Sequence, residues 1–189
     1  MDFQEILKHR RTVRLYRQQN VPDTVLAALV DAARLASCAV NRQHLRYIIV
    51  RTPELVCEIL KNTAWAALVA PQRTPVAGKT SPAAFIIMTT VEATPSFHTY
   101  ADAGAAMQSL EFAACDAGLG CCWLGSINRE KIGSLLNCTG ILYAAAVGYP
   151  AEKPVFKDIP ATANTEYYLD SDGTLTVPKI SLDDIACWK

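Results

Sequence analysis

The chain of 189 residues carries 18 basic and 18 acidic side chains, and 51% of its residues are hydrophobic. This length fits one domain with a sizeable core, and the hydrophobic content argues against a disordered chain. Zero net charge gives no general electrostatic reason to expect a nucleic-acid or membrane partner. No window holds the ~18 uncharged apolar residues that a membrane span needs.

The first 150 residues predict helices that alternate with apolar strands. Asp2 and Glu5 form the pattern of a capping box at the start of a short helix that ends near Lys8. Helical periodicity predicts further helices at 22–35, 53–61, 98–117 and 128–136, and apolar runs predict strands at 45–50, 83–91, 119–125 and 141–149. This alternation predicts a sheet covered on both faces.

The remaining segments have no strong period. Residues 62–82 contain Trp65 and three prolines and predict a mobile loop with one helical turn near Trp65. Residues 151–165 predict an extended arm, and Asp172-Gly173 predicts the turn of a hairpin over 167–177. Ser181 is expected to cap a short terminal helix.

Seven cysteines and an N-terminus without an apolar leader predict reduced thiols and a cytoplasmic protein. No two cysteines have Cys-x-x-Cys spacing, and the three histidines are scattered, so the spacing predicts no zinc site. Cys121 and Cys122 lie in an apolar run and are interpreted as buried structural thiols.

A basic cluster stands out against this neutral background. Arg10, Arg11 and Arg14 fall within five residues, next to Thr12. The cluster is either a solvated helix end or an anion site, because forked guanidinium groups match a phosphate well. The Gly-rich patterns of Rossmann and P-loop nucleotide sites are absent, as is the Gly-x-Ser-x-Gly elbow of hydrolases. An anion cluster with few obvious acids or bases favours a reaction carried by a cofactor.

Five short motifs resemble the nitroreductase family of flavin enzymes, in that family's order. They are Arg10–Arg14, Ala36–Gln43, Asp102–Gly104, Gly118–Gly125 and Val147–Pro150. The resemblance extends from about Phe3 to Trp188. It implies an α+β fold, an α/β sandwich with a mixed central sheet flanked by helices, as a single FMN-binding domain over residues 1–189.

The same resemblance implies an intertwined homodimer with two FMN sites at the interface. The long helix 98–117 would be covered by the second subunit, and the C-terminal arm, residues 150–189, would be exchanged between subunits. The helix carries few charges, which predicts burial on most of its sides, and a covering subunit would account for that burial.

The resemblance assigns the FMN contacts to eleven positions. Arg10, Arg11 and Thr12 would bind the phosphate and ribityl chain, and Arg14 would lie near N1 and O2 of the ring. The partner subunit would contribute Ser37, Cys38, Ala39 and Asn41. The backbone of Leu124 and Gly125 would meet N5 and O4 of the ring, and Lys179 would bind the phosphate. Ser37 replaces the family's usual proline, and Ile180 follows Lys179 where another arginine is expected.

The implied function is an FMN-dependent oxidoreductase. NADH or NADPH would reduce the flavin, and a small electrophile such as a nitroaromatic or a quinone would then take the electrons in a ping-pong mechanism. No side chain is assigned a catalytic role, since the flavin carries the chemistry. Two other readings are a flavin carrier or sensor with little turnover, and a thiol-based redox or metal protein.

Overall fold

Four antiparallel strands form the central sheet of the computed structural model, which describes residues 1–189. The strands are β1 (Leu45–Val50), β2 (Ala84–Thr90), β3 (Gly120–Leu124) and β4 (Ile141–Gly148), in the spatial order β1-β2-β4-β3. All four predicted strands are therefore confirmed, within a residue at each end. The parallel part of the predicted mixed sheet is limited to one bridge, between Thr12 and Cys121.

The sheet has a hydrophobic core on each face, as the apolar runs predicted. Every residue of β2 is buried, and its alternate side chains enter different cores: Phe85 and Ile87 one, Ile86 and Met88 the other. This alternation follows from the two-residue period of a strand.

Six α-helices accompany the sheet: α1 (Phe3–His9), α2 (Asp23–Arg34), α3 (Pro53–Lys61), α4 (Phe97–Asp116), α5 (Arg129–Leu136) and α6 (Leu182–Ile185). Helices α2 and α4 share the core on one face of the sheet, and α3 and α5 share the core on the other. The predicted capping box of α1 is confirmed, because Asp2 accepts from the Glu5 N–H at 2.8 Å and Glu5 accepts from the Asp2 N–H at 3.2 Å. No helix combines the length and apolar character that crossing a membrane would require.

Helix α4 differs from its prediction, because only one of its faces is buried within the chain. Ala103, Ala106 and Met107 lie in the core, whereas Phe97 is 74% exposed and Tyr100 is 47% exposed. The expectation that this helix is buried on most sides is wrong for the chain taken alone.

The C-terminal segment forms a second, smaller sheet. Its strands are β5 (Val155–Ile159), β6 (Tyr168–Leu169) and β7 (Leu175–Ile180), with β5 parallel and β6 antiparallel to β7. The predicted hairpin is confirmed, with Gly173 at φ 81° in its turn. The predicted extended arm contains β5, which the exposed and partly charged sequence of that strand did not reveal.

The loop 62–82, predicted to be mobile, is anchored to the core near Trp65. Its 3₁₀ turn, Ala67–Val69, confirms the helical turn predicted near Trp65. Trp65 is buried and donates from Nε1 to the Thr63 hydroxyl at 2.7 Å.

Candidate active site

A cavity of about 510 Å³ opens between the end of α1, the last turns of α4 and the segment that enters β5. Its basic side chains are Lys8, His9, Arg10, Arg11 and Lys153, and its two carboxylates are Glu111 and Glu152. The basic cluster therefore lines a concave site rather than a freely solvated helix end.

Arg10 is fixed at the base of this cavity by both its backbone and its side chain. As the C-cap of α1, it donates its N–H to the Ile6 carbonyl at 2.8 Å. Its guanidinium lies 3.4 Å from the Glu111 carboxylate on α4. Burial raises the pKa of Glu111, while the charge of Arg10 opposes that rise. This ion pair joins the end of α1 to α4.

Arg11 lies beside Arg10 with an unsatisfied donor. Its guanidinium carbon sits 4.4 Å from the centre of the Phe156 ring, and the side chain donates to the carbonyls of Leu7 and Arg10. Its Nε is buried without a hydrogen-bond partner. Burial and then the like charge of Arg10 lower the pKa of Arg11. An anion between the two guanidinium groups would satisfy the donor and relieve the repulsion.

The backbone that follows docks onto the edge of the central sheet. Thr12 bridges Cys121, and Val13 donates its N–H to the Cys121 carbonyl at 3.0 Å. Gly120 makes this approach possible, because a Cβ there would lie 2.6 Å from the Val13 Cβ. The docking holds Arg10 and Arg11 at the cavity.

Arg14 takes a different direction from Arg10 and Arg11. Its guanidinium carbon lies 4.9 Å from the centre of the Tyr167 ring, and Arg14 is not among the residues that line the cavity. The sequence cluster therefore splits into a pair of cavity arginines and a third arginine that packs against the C-terminal hairpin region.

Glu152 organises the segments around this cluster, although no sequence motif marks its role. Its buried carboxylate accepts the N–H groups of Arg14 and Leu15 and lies 2.7 Å from the Arg73 Nε. Arg73 also donates to the Gly173 carbonyl at 2.5 Å. One carboxylate thus ties the basic segment to the loop 62–82, and Arg73 ties that loop to the hairpin.

The loop that contains Ser37, Cys38, Ala39 and Asn41 lies elsewhere. Ser37 and Cys38 line a second cavity of about 310 Å³ between α2, β1 and α4, which shares no lining residue with the first. The Ala39 N–H donates to Asp102 at 2.9 Å. Asp102 and Glu111 are nine residues apart on α4, which separates the two regions by ~14 Å along the helix.

The remaining predicted contacts are also apart from the arginine cavity. Leu124 is buried at the end of β3, and the Gly125 carbonyl accepts from Arg129 at 3.3 Å. Lys179 is exposed on β7, in register with Asp158, and does not line the cavity. The structure of one chain therefore brings together Arg10 and Arg11, with Thr12 adjacent, but not the other assigned residues.

The cysteines are all free, and the two in β3 are buried as predicted. Burial raises the pKa of Cys122 to about 12 and that of Cys121 well above its usual value. Neither thiol ionises near neutral pH, so both act as packing groups.

The helix-covered antiparallel sheet, the second C-terminal sheet and the arginine-lined cavity define an α+β protein with a candidate anion site. A sequence model of the nitroreductase family matches residues 7–149, and the chain belongs to that family.

Relatives and solved structures agree with this assignment. A Methanothermobacter thermautotrophicus protein, provisionally named NADH dehydrogenase/NAD(P)H nitroreductase, is 29% identical over 168 residues, which cover 84% of this chain and 83% of that protein. A provisionally named nitroreductase from Desulfovibrio desulfuricans, solved in complex with FMN, superposes with a TM-score of 0.69 at 22% identity, over 85% of this chain and 93% of that one. A nitroreductase family protein from Clostridium novyi superposes with a TM-score of 0.67 at 20% identity, over 79% of this chain and 86% of that one.

Proposed function

We propose that this chain is an FMN-dependent oxidoreductase that passes hydride from NADH or NADPH to a small electrophilic acceptor, such as a nitroaromatic or a quinone. The supporting observation is the pair Arg10 and Arg11, which lie side by side in a cavity with one guanidinium Nε unsatisfied. When bound, FMN would accept hydride from the nicotinamide and pass electrons to the acceptor in two half-reactions at one site.

The residues present fit a flavin phosphate. A terminal phosphate carries about −1.5 to −2 charges near neutral pH, and the five basic side chains of the cavity outnumber its two carboxylates. Arg10, Arg11 and Thr12 would hold the phosphate and ribityl chain. Both carboxylates already form ion pairs, Glu111 with Arg10 and Glu152 with Arg73. The charge of Arg11 is therefore left for the anion to neutralise.

Arg14 would place its positive charge near N1 and O2 of the ring and so raise the reduction potential of the flavin. Leu124 and Gly125 would offer backbone groups to N5 and O4, and Lys179 would reach the phosphate. These three assignments rest on the resemblance of the motifs, since the residues do not line the cavity of the isolated chain.

A homodimer would complete each site. Residues 37–41 lie ~14 Å along α4 from the arginine pair, so we propose that they serve the site of the second subunit. The open face of α4, with Phe97 and Tyr100, offers an apolar surface for that subunit. Leu182, Ile185 and Trp188 are 70%, 66% and 95% exposed, which supports exchange of the C-terminal arm. Residues 1–189 would then be one FMN-binding domain, and the free thiols support a cytoplasmic location.

Titration of the purified protein with FMN, followed by flavin fluorescence, tests this function. Stoichiometric binding is expected, and bleaching of the bound flavin by NADH or NADPH in stopped-flow mixing would establish turnover. Arg10→Ala should weaken binding, whereas Arg51→Ala, an exposed arginine paired with Asp23, should not. A protein that binds no FMN would refute the proposal.

One observation favours a second candidate, a flavin carrier or sensor with little turnover. Lys179 lies outside the cavity, and Ile180 and Ser181 follow it where a second basic residue is expected. Tight FMN binding without rapid bleaching by either nicotinamide would support this candidate over the oxidoreductase.

A further inference from the structure

A second cluster of chemically active side chains lies on the first half of α4, away from the arginine cavity. Cys38, His44 and Asp102 place a sulfur, an imidazole nitrogen and a carboxylate oxygen within 4.8 Å of one another. The Cys38 Sγ lies 3.2 Å from Asp102 Oδ2, and the His44 Nε2 lies 3.4 Å from the same oxygen. Cys38 and His44 come from the loop before β1, and Asp102 comes from the helix that the loop packs against.

His44 is the unexplained member of this cluster. The residue is only 4% exposed, and neither ring nitrogen makes a hydrogen bond of good geometry. Buried polar groups are normally satisfied, and leaving one unsatisfied is costly. A cation bound at Nε2 would remove that cost.

The two separations measured from the Asp102 oxygen are close to those around a tetrahedral metal. Zinc binds sulfur at about 2.3 Å, histidine nitrogen at about 2.0–2.1 Å and carboxylate oxygen at about 2.0–2.2 Å. At tetrahedral angles, these bond lengths put sulfur about 3.5 Å and nitrogen about 3.3 Å from the oxygen. The observed separations of 3.2 and 3.4 Å need only small adjustments.

Each ligand also has an outer partner that would hold it in place. Glu92 Oε1 lies 3.4 Å from the His44 Nδ1, so a small shift would let Glu92 accept from Nδ1 and leave Nε2 free for a metal. The Gln43 N–H donates to the Cys38 Sγ at 3.2 Å and so helps to hold the sulfur in place. The Ala39 N–H donates to Asp102 Oδ1 at 2.9 Å and leaves Oδ2 available.

We propose that Cys38, His44 and Asp102 form a three-ligand site for a zinc-type divalent ion. The fourth position would be filled from the cavity of about 310 Å³, which is lined by Cys38 and Asp102 and gives the ion access. Thiolate and imidazole favour Zn²⁺ or Co²⁺ over Mg²⁺ and Ca²⁺, which prefer oxygen ligands. Binding releases the Cys38 thiol proton to solvent and involves no redox step.

The bound ion would clamp the loop 38–44 to α4. Within this loop Val40, Asn41 and Gln43 have φ values of 50°, 52° and 49°, in the left-handed region that non-glycine residues rarely adopt. A metal that joins both ends of the loop to one helix would stabilise this conformation. The three metal ligands belong to one chain and lie at the other end of α4 from its arginine pair, although the same loop is proposed to contact the FMN of the second subunit.

Cobalt titration of the reduced, chelator-treated full chain tests the site. One Co²⁺ per chain is expected, with a thiolate charge-transfer band and the visible bands of tetrahedral cobalt, both lost on addition of Zn²⁺. Cys38→Ser, His44→Gln and Asp102→Asn should each weaken binding by roughly 100-fold or more, and Glu92→Gln by about 10- to 100-fold. Cys187→Ser removes an exposed cysteine outside the cluster and should leave binding unchanged.

A second measurement uses the unmodified chain and so does not depend on how the variants fold. Zn²⁺ should protect Cys38 from alkylation, as mapped by mass spectrometry, while Cys187 stays reactive. The proposal is overturned if no stoichiometric cobalt spectrum appears, if the three ligand variants bind like the wild type, or if Zn²⁺ leaves Cys38 reactive. FMN titration of the same preparation reports separately on the proposed function.

Discussion

Arg11→Met separates a binding role for Arg11 from a structural one. Methionine retains much of the apolar stem that packs near Phe156 but removes the charge and the buried, unpaired Nε. Removing that unsatisfied donor should recover ~1–3 kcal/mol. The lost bonds to the Leu7 and Arg10 carbonyls cost ~0.5–1.5 kcal/mol each, and the lost cation–π contact costs ~0.5–1 kcal/mol. These terms nearly cancel, so the free energy of unfolding of the flavin-free protein should change by no more than about 1 kcal/mol.

FMN binding should respond very differently to the same change. A hydrogen bond to a charged group is worth ~1.5–3 kcal/mol, which corresponds to a loss of affinity of about 10- to 150-fold. Urea unfolding of the flavin-free protein and fluorescence titration with FMN measure the two quantities, and Arg51→Met is the matched surface control. A variant that unfolds much more easily yet binds FMN with normal affinity would refute the assignment of Arg11 to the phosphate.

Three further changes test the features that build the site. Because burial raises the pKa of Glu111, the protonated carboxyl is favoured in the folded state, and its contribution to stability is lost as the pH rises from the ordinary carboxyl pKa through the raised value. Urea unfolding between pH 4 and 7 should therefore show a fall in the free energy of unfolding of the wild type that Glu111→Gln lacks. Equal pH profiles for the two proteins would contradict this. Gly120→Ala should cost about 1–3 kcal/mol by forcing a Cβ against Val13, and adding Val13→Ala should recover part of the loss in thermal unfolding, whereas a fully stable single variant would disprove the close approach. Ala105→Glu puts a charge on the open face of α4 and should weaken a dimer at least ~10-fold by sedimentation, whereas Ser134→Glu on α5 should not; a wild-type chain that sediments as a monomer would contradict the proposed dimer.

Local patterns were sufficient to predict most of the fold. The all-apolar run of β2 predicted a central strand, and the capping box of Asp2 and Glu5 predicted the start of α1; both are confirmed. Gly118, just past the end of α4, has a φ of 72°, the left-handed conformation that is typical of a glycine at this position. Strand β5 was not predicted, because its residues are mostly exposed and partly charged, and its pairing with β7 depends on a partner about 20 residues away.

The site was less predictable because its contacts join distant parts of the chain. Arg10 and Glu111 are 101 residues apart in the chain, and Arg73 and Glu152 are 79 residues apart. Neither carboxylate is marked by local periodicity, since a buried ion pair depends on where two elements meet. The spacing of cysteines and histidines likewise predicted no zinc site, yet folding brings Cys38 and His44 to Asp102.

Helix α4 links these observations into one physical picture. Its first half holds Asp102 against the loop 38–44, and its last turns hold Glu111 against Arg10. Since a helix is rigid over such a length, the ~14 Å between these residues is fixed. The loop 38–44 and the arginine cavity of one chain therefore stay apart along α4. A second copy packed on the open face of α4 is the arrangement that would let the loop of one subunit complete the arginine site of the other. Loss of FMN affinity in the Ala105→Glu variant, with its own arginines intact, would therefore distinguish a site shared between subunits from one that is complete in a single chain.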